Sequence, residues 1–264
     1  SVRPTGYHIL FHAVDPESDE DGYAYLIYEG HVDGIILSGP QLEEREALEL
    51  HRQRLPIVTN GRLPGHNIPY VDADNYLGAQ MATSHLITLG HQRIGLITNA
   101  PLTYVAARER YRGYQDALLA AELIYDPALV GLGYFTGESG FAAMNRLLDL
   151  PEPPPAVFVA SDVVAIGAMH AAKARGLRIP QDIAIVGFDD VSIARFIEPQ
   201  LSTVHLPAYE LGWQVGQMVL QLVKQGRHGQ ERPGQDGHLL TPKLVIRNSC
   251  GAREPAQERA TTFS

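Results

Sequence analysis

The sequence predicts an α/β protein made of two doubly wound, parallel-sheet lobes. Three observations point there. Short apolar runs and amphipathic or apolar helix patterns alternate along almost the whole chain, which favours parallel strands with helical crossovers. Residues 156–187 spell one such unit in full: AVFVA, a helical stretch, then IAIVG. Strand candidates number about ten by these patterns, which suits two sheets better than one; a (β/α)8 barrel is the structural rival.

The elements follow in order. Tyr7–Phe11 reads as a strand, Asp15–Asp21 as an acidic turn, and Tyr23–Tyr28 as a helix. Val32–Leu37 (VDGIIL) is a buried strand, Gln41–Arg54 a charged amphipathic helix, and Pro56–Thr59 and Ile68–Val71 are further strands. Asp72 or Asp74 is placed to cap a helix running through Leu89, with Gly90 as its stop. Arg93–Thr98 reads as a strand and Ala106–Ala121 as its helix. A strand near Leu129–Gly133 precedes a helix at about Glu138–Leu150.

Pro151–Pro155 cannot extend that helix and leads into a strand at Ala156–Ala160. Ser161 and Asp162 can each cap the helix Val163–Arg175, and Gly176 supplies a left-handed stop. The strand Ile183–Gly187 ends in Phe188-Asp189-Asp190. Tyr209–Lys224 is a helix, Gly226–His238 a polar loop, Leu244–Arg247 a last strand and Gly251–Ser264 a disordered tail.

Composition narrows the function. The 264 residues are 45% hydrophobic and 19% charged, as in an ordinary globular protein, with ample core for one large domain or two small ones. The formal charge of −9 argues against this chain gripping nucleic acid by itself. No run approaches the roughly 20 apolar residues that span a bilayer, and Ser1–Leu10 lacks the charged head of a signal peptide. The single cysteine, Cys250, precludes an internal disulfide and suits a reducing cytoplasm. Eleven histidines invite a metal site, but no HExxH or CxxC occurs. His8 and His12 would stand roughly 13 Å apart on a strand, too far to share an ion. Gly131, Gly133 and Gly137 imitate a dinucleotide fingerprint with its last glycine one position late. Ser139 sits in GESG rather than GxSxG, and none of the three lysines belongs to a phosphate loop. No cofactor and no enzymatic activity are expected.

A ligand site is expected instead. In open parallel sheets ligands bind beyond the carboxyl ends of the strands, where Ser161 and Asp162, and Asp189 and Asp190, fall. Arg110 shares the buried stripe of its helix with Tyr114, Ala117 and Ala121, so it needs an anion or a polar ligand, or else a structural salt bridge. Arg108 and Arg112 point elsewhere. Phe135 is either core or an aromatic platform at the strand ends, and Asp190 is a neighbouring rival to Asp189.

These residues resemble the effector-binding core of the lactose/galactose-repressor family of bacterial transcription regulators. The similar runs are VDGIIL (32–37), VDADNYLGAQMATSHLITLGHQRIGLIT (71–98), RERYRGYQDAL (108–118), AVFVASDVVAIGAMHAAKARGLRIPQDIAIVGFDD (156–190), PQLSTVHLP (199–207) and LVIRNSC (244–250). GFDD followed by PQLSTV is the specific combination; VDGIIL alone is shared with periplasmic sugar receptors.

The resemblance implies a periplasmic-binding-protein-like fold whose lobes are joined by three crossovers, near Thr98–Pro101, Ala160–Asp162 and Val204–Pro207. The N-terminal lobe would be 1–98 plus 208–237, and the C-terminal lobe 99–207 plus 238–250, with 251–264 as tail. A small polar effector, a sugar or a nucleobase, would lie between them. The family's binding positions fall on Asp74, Tyr104, Ala106, Arg110, Phe135, Ser161, Asp189 and Leu206. Ala106 and Leu206 are apolar where relatives place polar groups. The resemblance further implies a cytoplasmic homodimer that reaches operator DNA through a head absent from this chain, with no membrane partner. GYHILFHAVDPES is similar to the family's second core strand, which implies that a strand–helix unit of roughly 30 residues is missing before Ser1. A periplasmic sugar receptor of a transport system is the alternative reading.

Overall fold

A computed structural model describes residues 6–13, 23–228 and 237–252. The chain divides into two units, passing from one to the other after Asp74, Leu102, Ala106, Leu206 and Thr241.

The first unit carries helix α1 (Tyr25–Tyr28), strand β1 (Ile35–Ser38), helix α2 (Arg45–Arg52), and strands β2 (Ile57–Asn60) and β3 (Tyr70–Ala73). The long helix α7 (Ala208–His228) and strand β9 (Gly237–Leu240) complete it. Its sheet runs β1-β2-β3-β9 and is parallel throughout. Helix α7 packs on β1, β2 and β3. Ala47 and Leu50 of α2 join Ile57, Leu63, Ile68 and Tyr23 in the core.

The second unit holds helix α3 (Asn75–Thr88), strand β4 (Ile94–Ile97), most of helix α4 (Val105–Ala120) and a two-residue strand β5 (Val130–Gly131). Then come α5 (Gly137–Leu148), β6 (Ala156–Val159), α6 (Asp162–Ala174), β7 (Ala184–Asp189), β8 (Ser202–His205) and β10 (Lys243–Val245). The sheet order is β10-β8-β7-β6-β4-β5, parallel except for β10, which runs antiparallel to β8.

The period-2 alternation of a strand explains why helices cover both faces of this sheet. Ala156 and Phe158 of β6, with Ile94, Leu96, Val186 and Phe188, pack with Ala79, Ala82 and Leu86 of α3 and Tyr114 and Leu118 of α4. Their neighbours Val157, Val159, Ile97 and Ile185 pack the other way, against Met144 and Leu147 of α5 and Val164, Ala168 and Met169 of α6. The expected strand–helix–strand unit is present: β6 and β7 are adjacent and parallel, and Gly176, at φ +78°, follows α6 in the left-handed region.

Several expectations are corrected. The boundary between lobes does not fall at residue 98. Helix α3 packs on β7 and β8, and β4 pairs with β6 and β5, so 75–102 belong to the second unit. Likewise Ala160–Asp162 is no crossover but lies inside the second unit, whereas the passage after Leu206 coincides with an expected one and that after Leu102 falls one residue past another. Strand β9 pairs with β3, so residues 238–241 belong to the first unit, not the second.

Tyr7–Phe11 is not a strand. Edge strand β1 pairs with β2 alone among the described residues, and Ile9, Leu10 and Phe11 stay exposed. The polar loop expected at Gly226–His238 is shorter, because α7 runs to His228 and β9 starts at Gly237. Asp15–Asp21 and all but the first two residues of the expected tail lie outside the described residues.

Candidate functional site

In the second unit the carboxyl ends of β4, β6 and β7 stand side by side, and Arg110, Ser161 and Asp189 gather there. Arg110 comes from α4. Its stripe is buried as expected through Tyr114 and Ala117, although Ala121 lies past the helix end and is exposed. Arg110 is only 6% exposed. Its Nε donates to Asn75 Oδ1 at 2.8 Å, and one terminal nitrogen donates to the Ala160 carbonyl at 2.5 Å. The same nitrogen lies 3.4 Å from Asp189 Oδ1. Its guanidinium carbon sits 3.7 Å from the centre of the Phe188 ring, a desolvated cation–π contact. By contrast Arg108 is exposed and Arg112 pairs with Glu109 at the surface, as expected.

Asp189 ends β7 at φ +112°, and Asp190 follows at φ +59°. Side chains rarely adopt these angles, and each such residue costs on the order of 1–3 kcal/mol unless its surroundings fix it. What fixes the turn is a set of charges the sequence did not single out. Arg247 donates to Asp190 Oδ1 at 2.5 Å, and His205 Nδ1 lies 3.0 Å from Asp190 Oδ2. Asp190 is thereby committed to its own unit, while the Asp189 side chain keeps 24% exposure. Of the two, Asp190 is the carboxylate held by Arg247 and His205, and Asp189 is the one that faces Arg110. Burial pushes the Asp189 carboxyl above its usual range, against the pull of Arg110 and of hydrogen bonds from Ser161 and the Asp162 backbone.

Ser161 is the N-cap residue of α6 but makes no capping hydrogen bond with its side chain; it is turned to Asp189 instead. Asp162 is fully buried, accepting from Thr203 Oγ1 at 2.6 Å and from the Val191 N–H at 2.9 Å. Burial, helped by the nearby charges of Asp189 and Asp190, raises its carboxyl to about 7. Its oxygen lies so close to the β7 backbone that a Cβ on Gly187 would stand 2.2 Å from it.

Phe135 sits past β5 at φ +57° and is 48% exposed, so it is a surface aromatic rather than core; its ring meets Tyr134 edge-on at 5.8 Å. Its N–H donates to the carbonyl of Asn99, just past β4. Gly131 and Gly133 are packing residues: a Cβ on Gly133 would lie 2.0 Å from the Thr98 carbonyl.

Asp74 and Tyr104 belong to the first unit. Asp74 is half-buried at the end of β3, its N–H donating to Leu240, and Tyr104 makes an isolated bridge with Gln41. Arg110, Ser161 and Asp189 are therefore brought together, Phe135 stands at the neighbouring strand end, and Asp74 and Tyr104 are placed on a different unit. Sequence reasoning missed Asn75 and Phe188, which hold Arg110; the Asp74-Asn75 pair at a helix start was the available signal. Among the described residues no group of three or more His, Cys, Asp or Glu could hold a metal ion, and no helix is long and apolar enough to cross a membrane.

Parallel sheets wound on both faces, with polar groups collected at the strand tips, define the class: a periplasmic-binding-protein-like ligand-binding core. Residues 83–250 match the family described as periplasmic binding protein-like domain. The chain is 36% identical over 249 residues to the HTH-type transcriptional repressor CytR of Escherichia coli K12, covering 94% of this chain and 71% of that one. It is 39% identical over 196 residues to the transcriptional regulator CelR of Thermobifida fusca, covering 73% and 57%. A LacI transcriptional regulator from Bacillus cereus superposes with a TM-score of 0.88 at 27% identity, over 96% of this chain and 88% of that one. A CelR–cellobiose complex superposes at 0.78 and 35% identity, over 86% and 68%.

The chain belongs to the LacI family of transcriptional regulators and forms its effector-binding core. The alternative of a periplasmic transport receptor is set aside, because these relatives are transcriptional regulators rather than transport receptors or enzymes.

Proposed function

We propose that the core senses a small polar effector, a sugar or a nucleobase, held at the strand tips of the second unit by Arg110 and Asp189. The observation that carries this reading is the loose 3.4 Å pairing of a buried guanidinium with a partly exposed carboxylate on a backbone turn in the left-handed region. Such a pair can each clasp adjacent ligand hydroxyls, the cation donating and the carboxylate accepting. Ser161 supplies a further hydroxyl and Phe135 an aromatic face for the apolar side of a ring. The CelR–cellobiose complex supports a sugar as the first class to test.

In this reading the protein is a cytoplasmic, non-catalytic homodimer whose effector biases operator binding through a helix-turn-helix head. An effector changes that output only as far as its affinities for the two conformations differ. The test is a thermal-shift screen with cellobiose, D-ribose and adenosine, since a ligand that binds only the folded form raises the melting point. A concentration-dependent rise with at least one compound supports the reading; a flat response to all three contradicts it.

A further inference from the structure

We infer that Asn99 is an additional effector contact, one that sets specificity by accepting a hydrogen bond from a hydroxyl or amino group of the ligand. The inference rests on the effector reading above and extends it to a residue outside the expected set.

Asn99 is 7% exposed, yet its side-chain carbonyl oxygen is buried with no hydrogen-bond partner. Leaving a buried amide oxygen unmatched costs on the order of 1–3 kcal/mol, and such groups call for a reason. Its position supplies one. Ile97 is paired with Val159, so two residues further on Asn99 is level with Ser161. Phe158 is paired with Val186, so three residues further on Ser161 is level with Asp189.

Three polar residues thus form a row across three adjacent strand ends, β4, β6 and β7. Ser161 and Asp189 are already joined by a hydrogen bond. At the far end of the row, the Asn99 backbone carbonyl receives the N–H of Phe135, tying the aromatic platform to it.

The chemistry differs along the row. Asp189 brings negative charge, Ser161 can donate or accept, and the Asn99 oxygen can only accept. A ligand carrying a hydroxyl or amino hydrogen there meets a partner, and an analogue lacking it leaves the oxygen unmatched, the arrangement that discriminates most strongly. Neighbouring strands are about 4.8 Å apart, so Asn99 and Asp189 contact different parts of the same small molecule.

The experiment measures calorimetric affinity for the strongest binder among cellobiose, D-ribose and adenosine, together with unliganded melting, for Asn99→Ala and Arg110→Ala. Asn99→Ala should weaken binding about 5–30-fold while leaving unliganded melting unchanged or slightly higher, because the oxygen has no protein partner to lose. Unchanged affinity in Asn99→Ala with binding lost in Arg110→Ala overturns the inference and leaves the effector reading standing. A marked fall in unliganded melting of Asn99→Ala makes the residue structural and also overturns it. Unchanged affinity in both variants, or no binder among the three compounds, overturns the effector reading and the inference with it.

Discussion

Helices α5 and α6 pack so closely that a methyl group decides whether the second unit holds together. A Cβ on Gly167 would lie 1.8 Å from the Gly137 carbonyl oxygen, and one on Gly140 would lie 2.0 Å from that of Val164. Both obstacles are backbone atoms that no rotamer change can move. Ordinary contact begins near 3.4 Å, so Gly167→Ala forces the helices apart by about 1.6 Å at this crossing. A gap of 0.5–1 Å already forfeits roughly a quarter to a half of a contact's dispersion energy. Val164, Ala165, Ala168 and Met169 of α6 would all lose packing against α5 and the sheet. The expected destabilisation is about 3 kcal/mol or more, at or beyond the top of the usual overpacking range. Gly216→Ala in α7 makes the same chemical change where nothing lies within 4 Å of the added carbon. There helix propensity alone acts, and stability should rise by about 0.8–1 kcal/mol. Urea unfolding followed by far-ultraviolet circular dichroism reads both variants. If Gly167→Ala unfolds within about 0.5 kcal/mol of wild type, the close crossing is not a stability determinant and the reasoning fails.

Two other perturbations address the site. Arg110→Ala removes the cation that faces Asp189 and should weaken effector binding by about 2–5 kcal/mol, measured by calorimetry against the strongest binder of the screen. Asp162→Asn addresses pH. With its carboxyl raised to about 7 in the fold against an ordinary 3.8, Asp162 keeps its proton over a range where the unfolded chain has released it. Its contribution to stability is full below about pH 4, falls by about 1.4 kcal/mol per pH unit, and is lost above about pH 7. The asparagine variant should flatten that slope in a melting-temperature series from pH 4 to 8, and an unchanged slope would assign the pH dependence elsewhere.

The fold was most legible where burial is two-sided. AVFV and IAIVG have no polar residue to place at a surface, so their parallel pairing followed from pattern alone. Strand β8 was hidden because Ser202 and Thr203 are polar yet buried, satisfied by Ser249, Cys250 and Asp162 from distant segments. Strand β9 was hidden beside a Gly-rich loop. Tyr7–Phe11 misled in the opposite sense, since an apolar run makes a strand only where a neighbour accepts its backbone. The unit boundary was illegible because the pattern of α3 says that it buries a face, not against which sheet. Gly78 lies against the Phe188 ring, a close approach only the structure reveals. Within the site, Arg110 betrayed itself as a charge on an apolar stripe. That Asp190 is held by a cation could not be read, because Arg247 lies 57 residues along the chain from it.

In the proposed site the Asp189 carboxylate takes hydrogen bonds from the effector. Asp189→Asn keeps the shape of the side chain and removes its charge, so a calorimetric titration of this variant isolates that interaction. Loss of a hydrogen bond to a charged group predicts binding weaker by about 1.5–3 kcal/mol. Affinity equal to that of the wild-type protein would place the effector elsewhere.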